Sequence, residues 1–396
     1  MTMPEYNSSE SLARSVKIPT PIYLPLNGPD LADSIMHLPQ SAGVYTLTLP
    51  GRPSHVGCCG NLARRLRRLL VSSYTAGAQR LSPLREKITS VECWPTGSRL
   101  ETSLLTYELA KHHFPEDYLK RLRLRLPWFV ELTTDPFPYV RLVNRLSRSS
   151  GALFGPFRTR DFAEAYAQQV HTLFQVRRCT ETLAPHPDHP GCIYGEMNQC
   201  LRPCQCAVTR EEYATEALRL GEVLETNGKS AIASLSIARD RASEQMDFEQ
   251  AAQIHKRIEK VQSAAGLRDP VVSEATRFSG VVLTRSAGFR QFRLWPMIDG
   301  YWQEAVPLDF SSEEAPMRPL DQQIRERLAE AVNNASFTGK RIEQLAIFSR
   351  WYYSSWRDGH WFPFRTLADL KYRKLVRELS SMVKHEPKPA LLTPPS

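Results

Sequence analysis

Gly43-Val44-Tyr45-Thr46-Leu47-Thr48-Leu49-Pro50-Gly51, with Ser54-His55-Val56-Gly57 close behind, sets the frame for the first third of the chain. Apolar and polar residues alternate from Gly43, as in a strand with one face turned inward. Pro50-Gly51 supplies a turn, and Ser54 to Gly57 a second short strand. Asn61 then stands as the N-cap of a helix. Its apolar face is Leu62, Leu66, Leu69 and Leu70, and its outer face Arg64, Arg65, Arg67 and Arg68. Leu100 to His113 reads as a second amphipathic helix, stopped at Phe114-Pro115. Residues 31–120 are thus expected to form a small α/β domain behind a flexible leader, residues 1–30.

The whole chain has 396 residues, 42% apolar and 23% charged, with a formal net charge of +9. That length suits several compact units, and the basic excess favours a polyanionic partner, nucleic acid before membrane surface. Met1 to Val16 lacks the apolar core of a signal peptide and carries Glu5 and Glu10, and no run is long enough to span a bilayer. A cytoplasmic location is expected, and in that reducing compartment clustered cysteines point to metal or catalysis rather than disulfides.

Residues 121–225 read as a connecting region. Arg121, Arg123 and Arg125 alternate with leucines as a strand-like basic edge. Strands follow at Trp128 to Leu132 and Tyr139 to Val143, then a helix at Thr159 to Phe174. A Pro- and Gly-rich loop, residues 179–206, precedes a helix from Arg210 to Glu225. Residues 226–265 predict a helical hairpin whose second arm begins at Asp247, with Gln250 three residues on as in a capping box. Phe248, Ala251, Ala252, His255 and Ile258 form a stripe along that arm. Residues 278–310 alternate as three short strands within a C-terminal α/β module, 266–385, and residues 386–396 read as a disordered tail. The expected class is α+β, in several domains.

Cys179, Cys192, Cys200 and Cys204 fall within the irregular loop, separated by 12, 7 and 3 residues. Soft thiolates in a flexible loop can converge on zinc or on an iron–sulfur cluster, each of which takes about four ligands. Zinc ribbons usually present two close cysteine pairs. This loop has one, which leans toward a cluster and leaves zinc open. Cys206 is a spare ligand or a bystander, His186 and His189 read as loop residues, and Cys58, Cys59 and Cys93 as small packed hydrophobes.

Taken in order, these segments resemble the UvrC family, the nuclease subunit of bacterial nucleotide excision repair. Gly43-Val44-Tyr45 with His55-Val56-Gly57 looks like the paired GIY and YIG signature of its N-terminal nuclease domain. Phe154-Gly155-Pro156-Phe157 is similar to its FGPY stretch. Cys179, Cys192 and Cys200-Leu201-Arg202-Pro203-Cys204 resemble its cysteine motif, which implies a 4Fe-4S cluster. Met246-Asp247-Phe248-Glu249-Gln250-Ala251-Ala252 looks like the UVR hairpin, which implies docking of UvrB through Phe248, Ala251 and Ala252. The resemblance covers residues 35–265. Family members continue into RNase H-like and helix-hairpin-helix domains, which residues 266–396 do not resemble.

The resemblance also implies a chemistry. A GIY-YIG nuclease uses a carboxylate-held Mg²⁺ or Mn²⁺ against the scissile phosphate, a tyrosine for the attacking water and an arginine for the developing charge. Tyr45 and Arg65 match. His55 replaces the second tyrosine, Cys58 the lysine and Tyr118 the asparagine. Anchoring on Leu109, Lys111 and Pro115 puts Thr106 at the metal-ligand glutamate, and a neutral hydroxyl is a poor ligand for a hard cation. The expectation is a UvrC-related, DNA-binding repair factor with Tyr45, His55 and Arg65 vestigial or altered, and Arg64, Arg67 and Arg68 on DNA. The alternatives are an active single-cut endonuclease, with Glu101 or Glu108 as ligand, and a zinc-holding scaffold. The cluster Trp351, Tyr352, Tyr353, Trp356, Trp361, Phe362 and Phe364 reads as core of a small module, or as a stacking platform for bases.

Overall fold

A computed structural model describes residues 16–26, 30–70, 87–145, 151–311 and 319–385. Most of the expected leader and the whole expected tail lie outside the described residues. The chain divides into two compact units: residues 1–124 together with 279–396, and residues 125–278. The class is α+β with several sheets, as the alternating and helical stretches require.

The first segment runs β1 (Ile22–Leu24), α1 (Asp30–Met36), β2 (Gly43–Leu49), β3 (Arg52–Cys59), α2 (Leu62–Leu70), β4 (Ser90–Pro95), α3 (Arg99–His113) and α4 (Tyr118–Leu122). Its strands form one antiparallel sheet in the order β1-β4-β2-β3. Both faces of β2 are covered. Tyr45 and Leu47 pack with Leu62, Leu66 and Leu31 on one side, and Val44 packs with Trp94, Leu105 and Leu109 on the other. The alternation of β2 therefore sorts its residues between two cores rather than between core and water. Asn61 caps α2, its Oδ1 accepting from the Arg64 N–H at 2.8 Å.

Helix α3 is not amphipathic: Leu100, Glu101, Leu104, Leu105, Tyr107, Glu108, Leu109 and Ala110 are all buried, because β2 and β3 cover one side of it and a C-terminal helix another. Arg121 to Leu126 forms no strand. The chain turns instead through α4 and through Arg123 at φ 48°, so the Arg–Leu alternation is not a sheet edge.

The second unit contains β5 (Trp128–Leu132), β6 (Val140–Val143), β7 (Ala152–Phe157), α5 (Arg160–Leu173), α6 (Ile193–Glu196), α7 (Arg210–Thr226), α8 (Lys229–Glu244), α9 (Phe248–Gly266) and β8 (Ser273–Glu274). The sheet order is β6-β5-β7-β8. Helix α5 lies across it and buries Ala163, Tyr166, Ala167 and Val170. Thr209 and Glu212 make a reciprocal capping box that starts α7. Helices α8 and α9 pack as a hairpin. Asp247 caps α9, its carboxylate accepting from the Gln250 N–H at 3.0 Å.

Residues 279–396 supply β9 (Gly280–Arg285), β10 (Gln291–Ile298), β11 (Tyr301–Trp302), β12 (Val306–Asp309), α10 (Leu320–Asn333), α11 (Arg341–Tyr352), β13 (His360–Pro363) and α12 (Tyr372–Lys384). The expected third strand is two. Gln303 separates β11 from β12 and turns its side chain onto the Tyr301 and Ser336 carbonyls. β13 adds itself to β9, and α10 and α12 close the core on Ile324, Leu328, Leu375 and Leu379. Trp351, Phe362 and Phe364 are buried, so part of the aromatic cluster is core, and Tyr352, Tyr353 and Trp361 are half-buried. Only Trp356 is well exposed, at 38%. Among the described residues no helix is long and apolar enough to cross a membrane.

Candidate functional site

Tyr45, His55 and Arg65 come together. Antiparallel pairing of β2 with β3 sets Tyr45 opposite Gly57 and Leu47 opposite His55. A Cβ on Gly57 would lie 2.5 Å from the Tyr45 ring, so only glycine leaves room for that tyrosine, which is 2% exposed. Arg65, one turn into α2, donates from Nε to the Tyr45 hydroxyl at 3.2 Å. The His55 ring lies 6.2 Å from the Tyr45 ring. Desolvation first, then the cations Arg65 and Arg121, lower the pKa of the His55 imidazole from its usual value. Arg64, Arg67 and Arg68 stand on the outer side of α2, exposed.

His55 and Cys58 border a cavity of about 440 Å³. Its floor is the α3 face carrying Thr102, Ser103 and Thr106, and Arg121 and Arg350 close it from two other elements. Thr106 donates its hydroxyl to the Thr102 carbonyl at 2.6 Å. Among the described residues no carboxylate lines this cavity. The two candidate acids of α3 line a different, smaller cavity with Trp94, Trp295 and Arg293. Glu101 pairs with Arg293 at 3.2 Å and accepts from the Gly97 N–H at 2.8 Å. Burial pushes its carboxyl up, against the pull of those two partners.

Tyr118 is also engaged elsewhere. Its hydroxyl donates to Glu343 Oε2 at 2.8 Å, and Tyr107 donates to the same oxygen at 2.7 Å. Glu343 lies on α11, so residues from the end of the chain complete the surroundings of this site. Arg350, on the same helix, had no signal in the sequence that could place it here.

The four loop cysteines are gathered into one region of the second unit. Cys200 and Cys204 are buried, Cys179 half-buried and Cys192 exposed. Burial pushes the Cys200 and Cys204 thiols up, and Cys179 and Cys192 are near enough to both to push further. Among the described residues no three His, Cys, Asp or Glu side chains converge tightly enough to hold a single metal ion. The sulfurs have donors of their own: the Arg202 N–H reaches Cys200 Sγ at 3.4 Å and Arg177 Nη1 reaches Cys179 Sγ at 3.8 Å.

Arg177 escaped the reading of the sequence. It is 3% exposed, and it donates to the carbonyls of Phe137, Cys179 and Glu181. Its guanidinium covers the Tyr139 ring at 4.2 Å. The signal was a charged pair, Arg177-Arg178, directly before Cys179, but nothing in the residues says which member is buried. His186 and His189 accept local backbone N–H bonds through Nδ1, as loop residues do.

On the helical hairpin, Phe248 is 68% exposed and Met246 78% exposed. Ala252 and His255 are exposed, Ala251 is half-buried, and Ile258 is buried. The stripe thus divides into an outer, uncovered portion and an inner one.

Comparison with known proteins agrees with this layout. Residues 127–222 match the family described as UvrC/Cho excinuclease, middle domain, and residues 229–264 match the UvrB/uvrC motif. The chain is similar to the UvrABC system protein C of Carboxydothermus hydrogenoformans, 27% identical over 58% of this chain and 37% of that protein. That of Nitratidesulfovibrio vulgaris is 30% identical over 58% of this chain and 33% of its own. That of Trichlorobacter lovleyi is 29% identical over 56% and 37%. The chain thus spans little more than a third of the length of these relatives. No solved structure matches it. Over residues 127–222 and 229–264, its middle domain and UVR motif, the chain is similar to the UvrC family.

Proposed function

We propose that this chain is a DNA-binding component of nucleotide excision repair, with a GIY-YIG-like centre that no longer cuts by divalent-metal chemistry. The family match supports the repair setting. One observation carries the rest: the cavity beside His55, where Thr106 stands, has hydroxyls and arginines on its walls and no described carboxylate. A divalent cation needs charged oxygen ligands, and Glu101 and Glu108 are turned to a separate cavity where Arg293 stands with them. Losing several kcal/mol of metal stabilisation lowers a rate by a factor on the order of 10² to 10⁴. The outer arginines of α2, Arg64, Arg67 and Arg68, supply a phosphate-tracking face.

The order and spacing of Cys179, Cys192, Cys200 and Cys204 support a 4Fe-4S cluster held by these four residues. Cys200 and Cys204 each lie within electrostatic reach of Cys179 and Cys192, and an N–H and a guanidinium point at two of the sulfurs, the kind of donors that tune such clusters. Bound there, the group would tie the loop together. Arg177 would offer positive charge to sulfurs that are anionic as ligands. The exposed Phe248 end of the hairpin, with Ala251 and Ala252, suits docking of UvrB.

Incubating the protein with damaged duplex, UvrB and Mg²⁺ or Mn²⁺ tests the central reading. No nicking above background is expected, with retention of the duplex at low salt. Nicking that Tyr45→Phe or Arg65→Ala abolishes would overturn it in favour of an active endonuclease. Anaerobic protein should carry iron and sulfide in equal amounts with visible absorbance; stoichiometric zinc instead would replace the cluster.

A further inference from the structure

We infer that the cavity between β3, α3, α4 and α11 is a metal-independent site for one unpaired nucleotide of a DNA strand, with Arg121 and Arg350 on its phosphate. This rests on the reading that the centre holds no divalent cation, and it names what the site takes instead.

The walls argue for both halves of a nucleotide. Arg121 is pre-set: Asp117 holds its Nε at 2.8 Å from outside the cavity, and the Phe114 ring lies under its guanidinium at 4.0 Å. Those contacts leave Nη1 and Nη2 to meet a phosphate in the bidentate manner arginine favours. Arg350, exposed in the last turn of α11, adds a second cation from the C-terminal segment. Nothing acidic among the lining residues competes with an anion. The positive field is felt by a neighbour, since Arg65 and Arg121 both disfavour protonation of His55. Phe114, Leu122, Leu124 and Ile347 supply an apolar wall for a base and sugar, and aromatic and arginine planes are the surfaces on which bases stack.

Size selects the unpaired form. About 440 Å³ falls in the range of small-ligand pockets, about 300–1,000 Å³, so a duplex cannot enter. A nucleotide from a frayed, flipped or single-stranded stretch can, and unstacking is least costly where a strand is damaged or already open. Repair substrates offer such strands.

The test is binding of a short single-stranded, 5′-phosphorylated oligothymidylate to the full chain in EDTA, read by fluorescence anisotropy across a salt series. Arg350→Ala and Arg121→Ala should each weaken binding about tenfold and lower the salt slope by about one. Arg350 is solvent-facing, so its variant should fold normally, and melting of both variants checks that. Arg350→Lys should recover part of the loss. Unchanged affinity in both alanine variants would overturn the site. Competition by thymidine monophosphate as effective as the oligonucleotide would move the ligand to a free nucleotide and overturn the strand assignment. A marked gain in affinity on adding Mn²⁺ would instead strike the carboxylate-free reading on which the inference rests, and so separates the two failures.

Discussion

The Tyr118 hydroxyl donates to Glu343 across 225 positions of sequence, at 2.8 Å, and shares that carboxylate with Tyr107. All three side chains are buried. Removing the acceptor strands two buried hydroxyls, each costing about 1–3 kcal/mol. Glu343→Ala should therefore lower unfolding stability by something on the order of 2–4 kcal/mol, and Glu343→Gln, which keeps an oxygen, by less. Denaturant unfolding followed through probes in both segments should show them melting together. An unshifted midpoint in Glu343→Ala would remove this tie between the chain's ends.

Gly57 is the second structural test. A methyl group there meets the Tyr45 ring at 2.5 Å, and Tyr45 is wedged against Leu47, Leu62 and Leu66 in the same core. Gly57→Ala should cost about 1–3 kcal/mol, the usual range for overpacking. The Tyr45–Arg65 hydrogen bond should break or lengthen, which a crystal structure of the variant would reveal. A variant as stable as the parent would mean the two strands are not in this register.

Thr106→Glu is predicted to give the cavity what it lacks. One carboxylate facing His55 and Cys58 from α3 should raise Mn²⁺ affinity measurably by calorimetry, while weakening phosphate binding in the same cavity. The parent should show neither effect. If the variant gains no Mn²⁺ affinity, Thr106 does not occupy the position of a metal ligand.

His171 makes the second unit acid-sensitive. Burial above all, and then the charge of Arg178, lowers its pKa from 6.5 to about 4, and its Nδ1 has no hydrogen-bond partner among the described residues. As pH falls the unfolded chain takes up this proton first. Stability is thus fully present above 6.5 and is lost progressively toward pH 4. The loss is on the order of 2–3 kcal/mol. Substituting His171→Leu should flatten the difference in stability between pH 7 and 4.5, measured against the parent at each pH. An identical pH profile for both proteins would mean that His171 is solvated.

Asp247 offers a local check on the hairpin. Its carboxylate caps α9 through the Gln250 N–H, so Asp247→Ala should cost about 1 kcal/mol. It should leave the stability of the first unit unchanged, as two-probe thermal melting would report.

What the residues determined by themselves was local. The strand pair around Pro50-Gly51, the caps at Asn61 and Asp247, the helices flanking the cysteine loop and the order of the family motifs depend on short-range turn chemistry, capping and periodicity. These act within a few positions and need no partner. That Cys179, Cys192, Cys200 and Cys204 share one largely irregular loop was equally legible, because its prolines and glycines break regular structure locally. Tertiary structure decided the rest. Whether α3 shows a face to water depends on α11 arriving some 230 residues later. That Glu101 turns toward Arg293 while Thr106 faces the cavity depends on which side of α3 each neighbour covers. Arg177 is buried and Arg350 borders the cavity for the same reason: burial and charge are set by what packs against a residue, and those partners are far away in sequence. The Gly43–Gly57 stretch predicted the strands of the site. Only the return of residues 279–396 supplied its second arginine and took Tyr118 away to Glu343.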